Sequence, residues 1–171
     1  MRWLIDGYNV IRQGPESPRF GQPAERRGSR PGTIEAARAA LVRRITEAHR
    51  RSGDPFTIVF DGVRGHADPV PSGRIEIVFS RAPETADDVL IRLTGRYREG
   101  AIVVTSDRTI QTAARRAGAV VVTSEQFIDA LDGSAIDDDV DDDDDEGDER
   151  RPRSREARAS ERALRRLAGS R

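Results

Sequence analysis

The chain has no cysteine and no lysine, and only two histidines among its 171 residues. Without cysteine there is neither a disulfide framework nor a thiolate metal site. Without lysine every long basic side chain is an arginine, a bias given no functional weight by itself. Long apolar runs are also missing. The longest are four to five residues, too short for a membrane span. The N-terminus enters a strand-like run at Trp3-Leu4-Ile5 and leaves no room for a signal peptide, so a cytoplasmic protein is expected. Apolar residues make up 36% and charged residues 35%, a balance that implies part of the chain lies outside any core.

The net charge of −1 conceals an uneven distribution. Residues 137–149 hold eleven acids in thirteen positions, and residues 150–171 hold nine arginines against Glu156 and Glu161. Residues 1–136 are left with 20 basic and 17 acidic side chains. The expected organisation is therefore one folded domain over 1–132 and a low-complexity tail over 133–171, disordered in its acidic run and at most a short helix over 154–168. The tail's acids can imitate a nucleic acid, pair with the arginines that follow, or merely keep the chain soluble.

Within the first 132 residues, four short runs (2–5, 56–60, 101–104 and 119–122) are continuously apolar rather than alternating. Such runs suit strands buried on both faces, as in a parallel sheet. Residues 74–79 alternate at first and read as an edge strand. Helical spacing falls between these runs. One helix starts at a Thr33 cap and ends before Gly53, and another follows Thr85-Ala-Asp-Asp88. Two more are expected over 108–117 and from Ser124 to about Leu131. The order β-α-β-β-α-β-α-β-α argues for an open α/β sheet with right-handed crossovers. A Gly-, Pro- and Arg-rich loop over 12–32 interrupts it, a length that marks function or mobility.

Open α/β sheets bind ligands beyond the carboxyl ends of their strands. Asp6, Asp61 and Asp107 each stand there, and Asp87 and Asp88 open a helix at the same rim. Converging carboxylates repel unless a cation or raised pKa values relieve them. An all-oxygen set suits Mg²⁺ or Mn²⁺. Each acid also has a plainer role open to it. Asp88 can close a capping box with Thr85, Asp107 or Ser106 can cap the next helix, and Asp61-Gly62 is a common turn pair. Asp6, ending a buried strand before a glycine, has little structural excuse. Neither His49 nor His66 has a partner at ligand spacing, and both read as non-catalytic. Arg12, Arg19, Arg26, Arg27 and Arg30 of the loop, with Arg64, Arg81 and Arg108 near the rim, could meet phosphates. Tyr8 can stack on a base or pack into the domain.

The run Leu4-Ile5-Asp6-Gly7-Tyr8-Asn9-Val10-Ile11 resembles the opening of NYN domains, a PIN-like nuclease family. Glu84-Thr85-Ala86-Asp87-Asp88 and Val103-Val104-Thr105-Ser106-Asp107-Arg108 match two later motifs of its bacterial YacP-like branch. The resemblance covers about residues 2–131. It implies a three-layer α/β/α PIN-like domain and a metal-dependent ribonuclease that hydrolyses RNA phosphodiesters with Mg²⁺ or Mn²⁺. Asp6, Asp61, Asp87 and Asp107 match its acidic positions, with Asp88 an additional carboxylate. Asn9, Thr105 and Ser106 match its small polar positions, and with Arg81 and Arg108 are expected to meet substrate. The implied partner is single-stranded RNA or mRNA, in RNA processing or mRNA decay near ribosomes, and pairing into a homodimer is expected. An RNA-binding adaptor that has lost catalysis is the alternative. An aspartyl-phosphate phosphatase is disfavoured, because the second acid it needs two residues after Asp6 is Tyr8 and its lysine is missing.

Overall fold

Trp3, Leu4 and Ile5 present apolar side chains to both sides of the backbone, so a strand built from them must be covered on both faces. The computed structural model describes residues 1–14, 34–62, 73–133 and 155–169, and it puts that strand at the centre of a sheet. β1 (Arg2–Asp6) pairs in parallel with β2 (Phe56–Phe60) on one side and β4 (Ala101–Val104) on the other. β3 (Ile75–Phe79) lies outside β2 and β5 (Val120–Val122) outside β4, again in parallel. The order is β3-β2-β1-β4-β5, with the alternating segment at an edge as its pattern predicts.

Alternation along β1 separates two cores. Trp3 and Ile5 join a cluster with α1 (Gly7–Gln13), α2 (Ile34–Ser52), α5 (Ser124–Asp132) and α6 (Arg155–Ala168). Leu4 joins a second cluster with α3 (Ala86–Tyr97) and α4 (Arg108–Arg116). The result is the expected three-layer α/β/α arrangement. Helices α2 to α5 stand where their spacing puts them, and Thr85 and Asp107 cap α3 and α4. The expected Thr33 cap lies outside the described residues, and Gly53 closes α2 at a φ of +69°, a left-handed geometry that costs glycine little.

Two elements differ from the sequence expectation. α1 begins directly after β1 with Asp6 as its N-cap, and it takes in Arg12 and Gln13 from the stretch read as loop. Its seven residues bury only Gly7, Val10 and Ile11, too short a pattern for helical periodicity to register. The larger correction is α6. Residues 155–168, expected at most as a short helix of a tail outside the domain, form a helix that buries Ala163, Leu164 and Leu167 in the Trp3 core. Few of its residues are apolar, but short helices owe their stability to the face they pack, not to composition. The acidic run 137–149, most of the 12–32 loop and the segment carrying Arg64 and His66 lie outside the described residues.

Candidate active site

The strand order reverses direction at β1. The chain moves outward from β1 through β2 to β3, then returns to place β4 and β5 on the other side. Helices leaving the two sides cover opposite faces, which leaves a crevice beyond the carboxyl ends of β1 and β4. Asp6 ends β1 at that crevice, buried with its carboxylate occupied on both oxygens. Oδ1 accepts from the Asn9 backbone N–H at 3.1 Å, and Oδ2 accepts from the Thr105 hydroxyl at 3.1 Å. Burial raises the Asp6 pKa above the ordinary carboxylate range, and the Asp87 charge adds to it. The two hydrogen bonds and the Arg12 charge pull the other way.

Asp107 stands three residues past β4, joined to Asp6 through Thr105. The Thr105 hydroxyl that serves Asp6 also accepts the Asp107 N–H at 3.1 Å. Asp107 itself caps α4, accepting from Thr109 N–H at 2.7 Å and Ile110 N–H at 3.2 Å. Capping and a rim position therefore coexist in this residue. Asp61 follows β2 directly and accepts a hydrogen bond from the hydroxyl of Ser80, which is buried just beyond β3. Ser80 Oγ in turn accepts the Gly62 N–H at 3.3 Å.

The doublet divides its labour. Asp88 closes a capping box through Oδ2, accepting from Thr85 N–H at 3.0 Å and Thr85 Oγ1 at 2.9 Å, and these bonds hold its pKa below the ordinary value. Asp87 makes no such bond. Its pKa is raised, first by partial burial and then by the charges of Asp107, Asp88 and Asp61. Asp87 is thus the carboxylate that feels the acids of the other strand ends, including Asp6.

Of the small polar residues, Thr105 and Asn9 turn their oxygens inward, while Ser106 stays at the surface. Thr105 is completely buried, so its hydroxyl positions acids and is out of reach of a substrate. Asn9 uses its side-chain oxygen internally, accepting from Ser106 N–H at 3.1 Å and from the buried Ser124 hydroxyl at 2.7 Å. Ser106 donates its hydroxyl to Glu125 Oε2 at 3.0 Å. Glu125, in the first turn of α5, has a lowered pKa, chiefly through its own backbone N–H and then through Ser106 and Thr123. Arg81 and Arg108 are exposed beside the rim. Tyr8 packs on Phe60 at 5.3 Å between ring centres, and its hydroxyl accepts from buried Arg38. His49 lies at the opposite end of the sheet, its Nδ1 2.8 Å from the Asp54 carbonyl oxygen.

Ser80, Ser124 and Glu125 escaped the sequence reading. Ser80 could have been found by the rule that found the aspartates, because it too follows a strand's carboxyl end. Ser124 and Glu125 looked like ordinary helix-start residues, and only the approach of α5 to α1 gives them a role.

Among the described residues, no three acids converge tightly enough to hold an ion. The donor set is nonetheless all oxygen. Mg²⁺ commonly keeps several waters and binds one or two carboxylates plus substrate phosphate, a mode that a spread rim fits.

The model of the YacP-like NYN domain family matches residues 3–171. A Bacillus subtilis (strain 168) protein described as "Uncharacterized protein YacP" is 30% identical over 115 residues, which cover 64% of this chain and 62% of the relative. The match thus spans less than two thirds of that relative's length. The crystal structure of Rae1 (YacP) from Bacillus subtilis is similar with a TM-score of 0.61 and 27% identity, over 77% of this chain and 74% of that one. Its W164L mutant gives 0.58 and 25%, over 78% of each chain.

Proposed function

The chain belongs to the YacP-like NYN domain family, and from that premise we propose that it is a Mg²⁺- or Mn²⁺-dependent endoribonuclease. The observation that carries this reading is the convergence of acids from different segments of the chain, Asp6 and Asp107 tied to one Thr105 hydroxyl. Burial first raises both Asp87 and Asp6, and the charges of Asp107, Asp88 and Asp61 on Asp87, and of Asp87 on Asp6, add to it. Caps placed independently have no reason to share one rim and repel.

Asp6, Asp61, Asp87 and Asp107 would hold the divalent cation, which when bound would supply an activated water and neutralise charge on the phosphodiester. The protein's own residues do the rest. Thr105 and the Asn9 N–H keep Asp6 at a set angle, and Ser80 does the same for Asp61. Asn9 and Ser124 fix the Ser106 backbone, so the turn from β4 into α4 is rigid where Asp107 and Arg108 emerge. Exposed Arg81 and Arg108 receive flanking phosphates. The substrate is single-stranded RNA, most simply mRNA in the bacterial cytoplasm. Decay near ribosomes and pairing of two copies are extensions that rest on the family resemblance. Among the described residues no helix is long and apolar enough to cross a membrane.

The alternative is an RNA-binding adaptor with the same fold and no catalysis. Cleavage of labelled single-stranded RNA with Mn²⁺ or Mg²⁺ decides between them, with EDTA, DNA of the same sequence, Asp6→Asn and Asp87→Asn as controls. Cation-dependent cleavage of RNA, abolished in both variants, is the expected result. RNA binding without cleavage, unchanged in both variants, assigns the chain to the adaptor class.

A further inference from the structure

α6 has two faces of opposite character. Ala163, Leu164 and Leu167 are buried in the core shared with Trp3, Ala48 and Phe127. On the other side Arg155, Arg158, Arg162 and Arg165 are all exposed. Their spacing of three and four residues stacks them along one ridge, with neighbours about 5–6 Å apart at Cβ. The helix dipole accounts for a cation in the last turn only, that is for Arg165. Arg165 pairs with Glu161 at 2.7 Å on the surface, a contact that solvent screens. The helix's other acid, Glu156, is drawn away to Arg115 at 2.7 Å. Arg51 extends the basic surface, its side chain lying against Gly169 just past α6. Arg162 Nε donates to the Arg158 carbonyl at 3.2 Å within the helix, a contact at the surface like that of Arg165. Local stability therefore gives no reason for the charges of Arg155 and Arg158, and little for lining up all four.

The ridge is far from the acids. Arg166 binds Asp54 at 2.8 Å, immediately ahead of β2, and Arg115 sits in the last turn of α4, ahead of β5. Both ends of α6 are thus fastened where strands enter the sheet, while the acids stand where strands leave it. A five-residue strand separates the two ends by roughly 17 Å. Only an extended polymer reaches both.

We propose that the arginine ridge of α6 is a second contact for RNA, gripping its phosphate backbone at a distance from the scissile bond. The nature of the polymer rests on the nuclease reading above; the ridge itself does not. Guanidinium groups suit phosphate oxygens, and α6 carries no aromatic, Asn or Gln to read a base. The grip is accordingly independent of sequence and sensitive to salt.

The test is the affinity of the full chain for fluorescent single-stranded RNA, measured by anisotropy in EDTA over a range of salt. The triple variant Arg158→Gln, Arg162→Gln, Arg165→Gln is compared with the same three positions changed to lysine. Glutamine sustains a helix, and the three side chains are exposed, so the fold is retained. The glutamine variant is expected to bind tenfold or more weakly, with the slope of log K against log salt shallower by about 2. The lysine variant recovers most of both, and changing the base sequence alters neither. An unchanged affinity and slope in the glutamine variant overturns the proposal, as does lysine that fails to restore them. Tighter binding in the glutamine variant overturns it too, and makes the acidic run 137–149 the ridge's partner. Because no divalent cation is present, ridge-dependent binding by a chain that cleaves nothing sinks the nuclease reading alone. Cleavage with ridge-independent binding sinks this proposal alone.

Discussion

Thr105 holds two of the candidate acids with a single hydroxyl, donating to Asp6 and accepting from the Asp107 backbone. Thr105→Val keeps the shape and removes both bonds, leaving a buried Asp6 oxygen without its donor. Urea unfolding should report a loss of about 1–3 kcal/mol. RNA cleavage should fall about 10–100-fold, as for other residues that orient a metal-binding carboxylate. Thr105→Ser should recover most of both. Asp87 makes the opposite kind of prediction. Its pKa is raised in the fold, so the folded chain keeps that proton to higher pH than the unfolded chain. Stability therefore falls as pH climbs from the ordinary carboxylate value of 3.8 through the raised one. Asp87→Asn removes its share of this fall, while that of buried Asp6, whose pKa is also raised, remains. In EDTA at neutral pH it should melt slightly above the parent protein, the gain vanishing below the ordinary carboxylate pKa. A variant that melts lower at neutral pH contradicts the account of a repelling rim. The choice of Asp87 over Asp88 was not legible in the sequence. The motif Thr85-Ala86-Asp87-Asp88 permits either acid to face the rim, and only the structure shows that the capping box takes up Asp88 Oδ2.

At the scale of elements, α1 and α6 carry what periodicity missed. α1 starts on Gly7 because a Cβ there would stand 2.2 Å from the Phe60 ring. Gly7→Ala should therefore cost about 1–3 kcal/mol of stability through overpacking. Trimming the ring with Phe60→Leu in the same chain should return part of it. The Asp-Gly pair read in the sequence as a functional sign is thus also a packing requirement. α6 is tested at Leu167, which is fully buried. Leu167→Ala should lower stability by about 2–5 kcal/mol in urea unfolding. A negligible change would return residues 155–168 to the status of a tail. The strands and the helices α2 to α5 were legible in advance, because continuous apolar runs, Thr caps and Gly stops act within a few residues of themselves. α6 was not, since arginines dominate its composition and its three apolar contacts gain meaning only against Trp3 and Phe127.

The whole molecule is joined across its length by Asp54. This buried carboxylate accepts from Trp3 Nε1 of β1 at 3.1 Å and from Arg166 Nη2 of α6 at 2.8 Å. Asp54→Ala leaves the buried indole N–H unpaired and should cost about 1–3 kcal/mol. Faster amide exchange should appear in α6 before it appears in β1. The sequence by itself determined the composition of the sheet, its parallel character, the caps of α3 and α4 and the set of acids at strand ends. Each of these follows from side-chain type and local spacing. The tertiary structure alone decided which acid of the doublet meets the others, and that Thr105 and Asn9 face inward. It also decided that Ser80 and Glu125 join the rim and that an arginine-rich helix closes the core. Those outcomes depend on burial and on hydrogen bonds between residues as far apart as Asn9 and Ser124, and Asp54 and Arg166. Such pairings arise only once the β3-β2-β1-β4-β5 order has brought distant segments together.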